Sequence, residues 1–399
     1  MTGGEVCGLL VASPAAMENA ASDHEDEVAM EGLKWEEPVQ SVQELVEKVG
    51  VRKVPSMYIR PMKDRPTRAK RGAVAAIARD SWIMDRLPAI DYAALQDEKK
   101  RHFAAKELAM ACEDWGAFYL INHPIPSSLL HAVQQVAKEF FQLSLQEKQV
   151  YANTPNSLIG YGSRMGTSKN TILDWGDYFL HYVWPIEDQA IDESWPRKPP
   201  HYRYIIGEYS KKVHKLYEAL MGIFSENLGQ ESNYLGNYFG DGATHILRMN
   251  YYPPCPQPHL TLGLGSHSDA GGMTFLLQDE VPGLQLKKDN KWIMVNPLKD
   301  ALLVNIGDQL QILSNGRYKS VEHRVVVNKH APRITIAIFC NPADDNIISP
   351  APEFIDKNNP PLYKSMTYGG FLLSFFKKGL DGKGYIESLK RKHQESCCI

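Results

Sequence analysis

Disulfide scaffolds, membrane spans and nucleic-acid-binding faces each leave a compositional mark, and this 399-residue sequence carries none of them. Its six cysteines (Cys7, Cys112, Cys255, Cys340, Cys397 and Cys398) have neither the density of a disulfide framework nor metal-ligand spacing. That scarcity suits a reducing compartment, with the cytoplasm expected and the nucleus as the other candidate. No run of about 20 apolar residues exists to cross a bilayer. The apolar stretch at 6–16 lacks a basic flank and runs into Asp23-His24-Glu25-Asp26-Glu27, so no leader is expected. Ser396 stands where a prenylated cysteine would be needed near the end. Lys plus Arg (44) nearly balance Asp plus Glu (47), and a formal charge of −3 gives no general attraction to nucleic acid or acidic membranes. What remains is a globular chain, 43% hydrophobic, long enough to enclose a site in a large core. The expected partner is a small molecule, and the expected state a monomer.

Periodicity divides the chain. Residues 1–33 read as a disordered acidic tail, followed by a short helix at 39–49 and a basic, proline-punctuated connector at 54–70. Strands at 89–92 and 117–121 alternate with helices at 98–114 and from Ser128 onward. A further helix carries Tyr209, Val213, Leu216, Leu220, Phe224 and Leu228 on one stripe and stops at Gly229. From Leu247 the pattern changes to short β-branched or aromatic runs at 247–252, 274–277, 284–286, 292–295, 301–306, 323–327 and 334–339, separated by turn residues. This spacing predicts a mainly β fold: a double-stranded β-helix, or jelly roll, buttressed by an N-terminal α/β region. The expected boundaries are 34–240 for the N-terminal region, 241–345 for the jelly roll and 346–399 for a C-terminal helix and tail.

Within the β half, Gly265-Ser266-His267-Ser268-Asp269 sets a histidine and a carboxylate two residues apart. Strand periodicity sends both to one face, where they can reach one ion. His323, at the start of a later strand, can supply a third ligand. Two imidazoles and one carboxylate leave three metal positions open, a set that suits a non-haem Fe(II) oxygenase. His-x-Asp alone does not specify a metal. Arg333 and Thr335, on one face of the next strand, add a bidentate fork and a hydroxyl suited to the distal carboxylate of 2-oxoglutarate. Asn250 and Tyr252 share another strand face and can hydrogen-bond the same cosubstrate.

From about residue 39 to its end the chain resembles the plant 2-oxoglutarate/Fe(II)-dependent dioxygenases. The resemblance rests on Asn250-Tyr251-Tyr252-Pro253-Pro254-Cys255-Pro256, His267-x-Asp269, Val281-Pro282-Gly283-Leu284-Gln285, Asn305-Ile306-Gly307-Asp308 and His323-Arg324. In the N-terminal region, Cys112-Glu113-Asp114-Trp115-Gly116-Ala117-Phe118 and Asn122-His123 carry it. Pro124 and Thr335 depart from the usual glycine and serine, and Thr335 keeps the hydroxyl. The resemblance implies an oxidoreductase with iron held by His267, Asp269 and His323, 2-oxoglutarate held by Arg333, Thr335, Asn250 and Tyr252, O2 as oxidant and ascorbate as a candidate reductant. Residues 34–240 would then be the N-terminal non-haem dioxygenase region and 241–345 the catalytic domain.

Within the family the sequence is most similar to jasmonate-induced oxygenases, and more distantly to anthocyanidin synthase and flavonol synthase. Gly160-Tyr161-Gly162-Ser163-Arg164, Leu173-Asp174-Trp175-x-Asp177-Tyr178 and Ser320-Val321-Glu322-His323-Arg324-Val325 carry the likeness. It implies a substrate pocket of Tyr161, Arg164, Phe179, Arg248, Phe339, Tyr368 and Phe371. Arg248 matches an arginine that holds the hormone carboxylate in jasmonate oxidases. Tyr368 and Leu372 stand where those enzymes have phenylalanine and a second arginine, so one charge clamp is missing. Three functions follow: hydroxylation or desaturation of a carboxylated, hormone-like compound; oxidation of a flavonoid; or a jelly-roll binding protein without turnover.

Overall fold

Helix Tyr202–Asn227 forms where the stripe from Tyr209 to Leu228 predicts it and begins about two turns earlier, because Tyr202 and Ile206 continue the same buried face. Gly229, at φ +82°, ends it. With Ser127–Gln142 this helix forms a layer packed on one face of a large sheet. The computed structural model describes residues 39–66, 87–154, 157–163, 171–186 and 194–391. The acidic tail, the end of the connector, Arg164, Cys7 and residues 396–398 lie outside them.

The N-terminal strands are β1 Ala89–Asp91, β2 Ala117–Ile121, β3 Gly160–Gly162 and β4 Asp177–Trp184. There follow β5 Thr244–Tyr252, β6 Leu264–His267, β7 Met273–Gln278, β8 Leu284–Lys288, β9 Lys291–Val295, β10 Leu302–Ile306, β11 His323–Val325 and β12 Arg333–Asn341. Eight of them form one sheet in the order β1-β2-β10-β7-β12-β5-β4-β3, and β6-β11-β8-β9 form a second. Side chains of both sheets line a common cavity, giving the expected jelly roll. The large sheet crosses the 240/241 boundary, with β4 paired along most of β5. Strands from both sequence regions therefore build the sheet that carries the site.

Strand parity decides what faces the cavity. On β5, Leu247, Met249 and Tyr251 pack toward the helices, while Arg248, Asn250 and Tyr252 point between the sheets. Strand β4 has no polar face: Phe179 and Val183 join the helix-side core, and Tyr178 and Leu180 pack with the C-terminal helix Tyr368–Lys378. Both faces are buried, so no polar alternation marks it in the sequence.

Two histidines in this scaffold predict acid sensitivity. Burial pushes His181 and His245 down to about 3, and His181 Nε2 lies 2.8 Å from the Tyr202 hydroxyl. In the unfolded chain both titrate near their ordinary value, so between about pH 6.5 and 3 the unfolded state binds more protons and stability falls as pH falls. The slope is about 1.4 kcal/mol per pH unit for each histidine. Urea unfolding at pH 7 and pH 5 should show this loss, which His267 shares, and His181→Phe should make it measurably smaller. An unchanged slope in the variant would contradict the assignment.

Candidate metal centre and active site

Antiparallel pairing of β6 with β11 sets His267 directly opposite His323. Asp269 follows two residues later, just beyond the end of β6. The ligand atoms of the three residues lie within 4.8 Å of one another, and the imidazole rings are 4.2 Å apart. Each histidine Nδ1 sits at hydrogen-bond distance from a nearby carbonyl, Gly265 at 2.8 Å and Val321 at 3.1 Å. These contacts suit an Nδ1–H donor and leave each Nε2 lone pair free. Both Nε2 atoms lie 3.6 Å from Asp269 Oδ1. Asp269 Oδ2 is occupied, accepting from Thr274 Oγ1 at 2.6 Å and Asn305 Nδ2 at 2.7 Å.

Electrostatics put these groups in the form a metal needs. Burial pushes His267 down to about 3, with His323 and Arg248 adding to the effect, so its imidazole is neutral. Burial works to raise Asp269, but the neighbouring histidines and the Thr274 and Asn305 hydrogen bonds outweigh it and hold the carboxyl below its ordinary value. A neutral imidazole beside an anionic carboxylate is the protonation state that a divalent cation requires.

The cosubstrate face follows from the β5–β12 register, which pairs Tyr252 with Arg333, Asn250 with Thr335 and Arg248 with Ala337. Arg333 is 2% exposed, with Nε donating to the Val281 carbonyl at 3.1 Å and Nη2 to Gln278 Oε1 at 2.9 Å. Among the described residues its Nη1 has no hydrogen-bond partner, and neither has Asn250 Oδ1. A buried guanidinium with an unspent donor calls for an anion. This observation fits 2-oxoglutarate, whose carboxylate would complete the shell. Gly283 leaves room for Arg333, since a Cβ there would stand 2.7 Å from Arg333 Cδ.

Two chambers meet at the three-residue cluster. The inner is lined by Arg333, Thr335, Asn250 and Tyr252, and the outer by Leu158, Leu180, Ile246, Tyr368, Leu372, Phe375, Phe376 and Leu380. Arg248 and Phe339 line both. Of the expected substrate residues, Arg248, Phe339 and Tyr368 thus border the space beside the cluster.

Three others do not, and the expectation is corrected for each. Phe179 points to the helix layer, with its ring centroid 4.7 Å from that of Phe140, because it lies on the opposite face of β4 from Leu180. Tyr161 hydrogen-bonds Ser41 and Asp177 in a buried polar cluster that caps helix Val42–Glu47. Phe371 packs in the core against Tyr385 and does not border the chamber. Sequence reasoning missed Leu158, Leu180, Phe376 and Leu380 as lining residues. The three- and four-residue spacing of Tyr368, Leu372, Phe375 and Phe376 was the available signal for the helix face.

Comparison with known proteins matches this geometry. A family model described as the 2OG-Fe(II) oxygenase superfamily covers residues 243–342, and one described as the non-haem dioxygenase in morphine synthesis N-terminal covers 87–201. Jasmonate-induced oxygenase 1 of Arabidopsis thaliana is 42% identical over 90% of this chain and 88% of its own length. Leucoanthocyanidin dioxygenase of Perilla frutescens is 37% identical over 86% of this chain and 96% of its own. Among solved structures, JOX2 in complex with 2OG, Fe and JA superposes with a TM-score of 0.80 at 39% identity, covering 90% of this chain and 100% of that one. No helix among the described residues is long and apolar enough to cross a membrane.

Proposed function

Because the chain belongs to the 2OG-Fe(II) oxygenase superfamily and is a dioxygenase that uses Fe(II) and 2-oxoglutarate, we propose that it hydroxylates or desaturates a small, carboxylated, hormone-like compound, either a jasmonate-like oxylipin or a gibberellin-related diterpenoid acid. His267, Asp269 and His323 hold the iron. Arg333 and Thr335 grip the distal carboxylate of 2-oxoglutarate, with Asn250 and Tyr252 alongside. When bound, iron and cosubstrate supply the oxidising power, with O2 consumed and 2-oxoglutarate decarboxylated to succinate. The chain's own residues orient the reactants: Thr274 and Asn305 fix the Asp269 carboxylate, and the leucines of the inner chamber exclude water.

Arg248 carries the substrate assignment. It is 6% exposed, its guanidinium lies 4.6 Å over the Tyr178 ring, and its Nε has no hydrogen-bond partner among the described residues. Around it the outer chamber is mainly apolar, so a single carboxylate with a hydrocarbon body meets both chemistries. Leu372 stands in this wall where jasmonate oxidases keep a second arginine, which leaves Arg248 as the main cationic anchor for a carboxylate.

Succinate formation with a panel of jasmonate, gibberellin-related acids, flavanones and dihydroflavonols tests this reading. Arg248→Gln is expected to lower kcat/KM about 30-fold for the carboxylated substrate, the equivalent of one charge-assisted hydrogen bond of about 2 kcal/mol. A flavonoid turned over equally well by wild type and Arg248→Gln would favour a flavonoid oxidase instead.

A further inference from the structure

A buried polar cluster ties both ligand-bearing loops to the C-terminal segment. Asp308 opens helix Asp308–Leu313 and is fully buried. Its Oδ1 accepts from Ser320 Oγ at 2.5 Å, its Oδ2 from Ser268 Oγ at 3.1 Å, and its backbone N–H donates to the Asp269 carbonyl at 2.8 Å. Ser268 lies between His267 and Asp269, and Ser320 lies three residues before His323. One carboxylate therefore bridges the two loops that supply all three ligands.

The counter-charge comes from far along the chain. Lys383 Nζ donates to the Ser320 carbonyl and to Gln311 Oε1, each at 2.6 Å, and Gln311 Oε1 also accepts from Ser320 N–H. Asp308 is the leading charge acting on Lys383. The adjacent Gly382 N–H donates to the Ser266 carbonyl at 2.8 Å, bridging the strand edge at His267. Asp269 is a second buried carboxylate close to Asp308, and like charges in a low-dielectric interior repel. Without a cation, the cluster would hold two uncompensated anions, and the loops would relax apart.

We propose that Lys383 is a positioning residue for the metal centre, acting through Asp308 and Ser320 to hold the loops of Asp269 and His323 at ligand spacing. The inference rests on His267, Asp269 and His323 being the metal site. Lys383 touches no reacting atom, and its effect is read in metal affinity.

The experiment is calorimetric titration of Mn(II) into the metal-stripped full chain, alongside thermal melts of the same metal-free samples. Wild type should bind one Mn(II), and His267→Ala should bind none. Lys383→Met should bind about 10- to 100-fold more weakly, the usual effect of losing a residue that orients a ligand. Adding Asp308→Asn to Lys383→Met, which removes the uncompensated anion, should restore most of the affinity. Wild-type affinity in Lys383→Met, whatever its melting temperature, overturns the proposal, since a purely structural lysine would change only the melt. An unrestored double variant overturns it also. If Lys383→Met fails to fold, Ser320→Ala takes its place: weaker Mn(II) binding supports the proposal and unchanged binding overturns it. Failure of the wild type itself to bind Mn(II) removes the site assignment and this proposal together, whereas failure confined to the Lys383 and Ser320 variants removes only the latter.

Discussion

Asp269→Ala is expected to abolish turnover, with succinate formation falling at least about a thousand-fold while the protein stays folded. The carboxylate is the only anionic member of the cluster, and its Oδ1 faces both histidine Nε2 atoms. Metal chemistry contributes several kcal/mol of transition-state stabilisation, and each 1.4 kcal/mol is about tenfold in rate. The cost to the fold is smaller. Hydrogen bonds from Thr274 and Asn305 are lost, but a buried charge goes with them, and the two changes oppose each other. Far-ultraviolet circular dichroism and a cooperative melt should remain, with metal-free stability within about 2 kcal/mol of wild type. Full turnover by the variant would remove Asp269 from the ligand set.

Arg333→Ala should act on the cosubstrate instead. A guanidinium held at Nε and Nη2 presents Nη1 in a fixed direction inside the inner chamber. Two charge-assisted bonds to a carboxylate, at about 1.5 kcal/mol or more each, correspond to a rise of at least about 100-fold in KM for 2-oxoglutarate. The effect on kcat should be smaller, because substrate and iron contacts remain. Ligand linkage gives a second readout: 2-oxoglutarate at about 100 times its Kd should stabilise the metal-loaded wild type by about 2.7 kcal/mol. The same concentration should leave the melting temperature of Arg333→Ala nearly unchanged. An unaltered KM would make Arg333 a structural residue that packs against Gln278, Val281 and Tyr252.

The difference between what could and could not be read from sequence lies in the range of the interactions. Asn250 and Tyr252, and Arg333 and Thr335, are each two residues apart within one strand, so strand parity alone puts each pair on one face. Asp269 lies beyond the end of β6, and only the structure shows that it still meets His267. The structure adds the register that sets Asn250 opposite Thr335 and Tyr252 opposite Arg333. Parity failed for β4, because aromatic residues occupy both its faces and nothing local says that Leu180, not Phe179, borders the chamber. Tyr161 was misread for a related reason: its partners Ser41 and Asp177 are distant in sequence, and only the tertiary fold brings them together. The joining of both sequence regions into one sheet is a long-range pairing of the same kind, invisible to periodicity. Phe371 lies three residues from Tyr368 and four from Phe375, so helical spacing does not separate it from the lining residues, and only its tertiary packing against Tyr385 shows that it belongs to the core.

The most direct measurement of the central claim is the fate of molecular oxygen. With Fe(II), 2-oxoglutarate and labelled O2, the wild-type protein should release succinate carrying one labelled oxygen, in amounts stimulated by the carboxylated substrate and absent from Asp269→Ala. Iron-loaded wild type that forms no succinate with any carboxylated or flavonoid member of the panel would contradict the account.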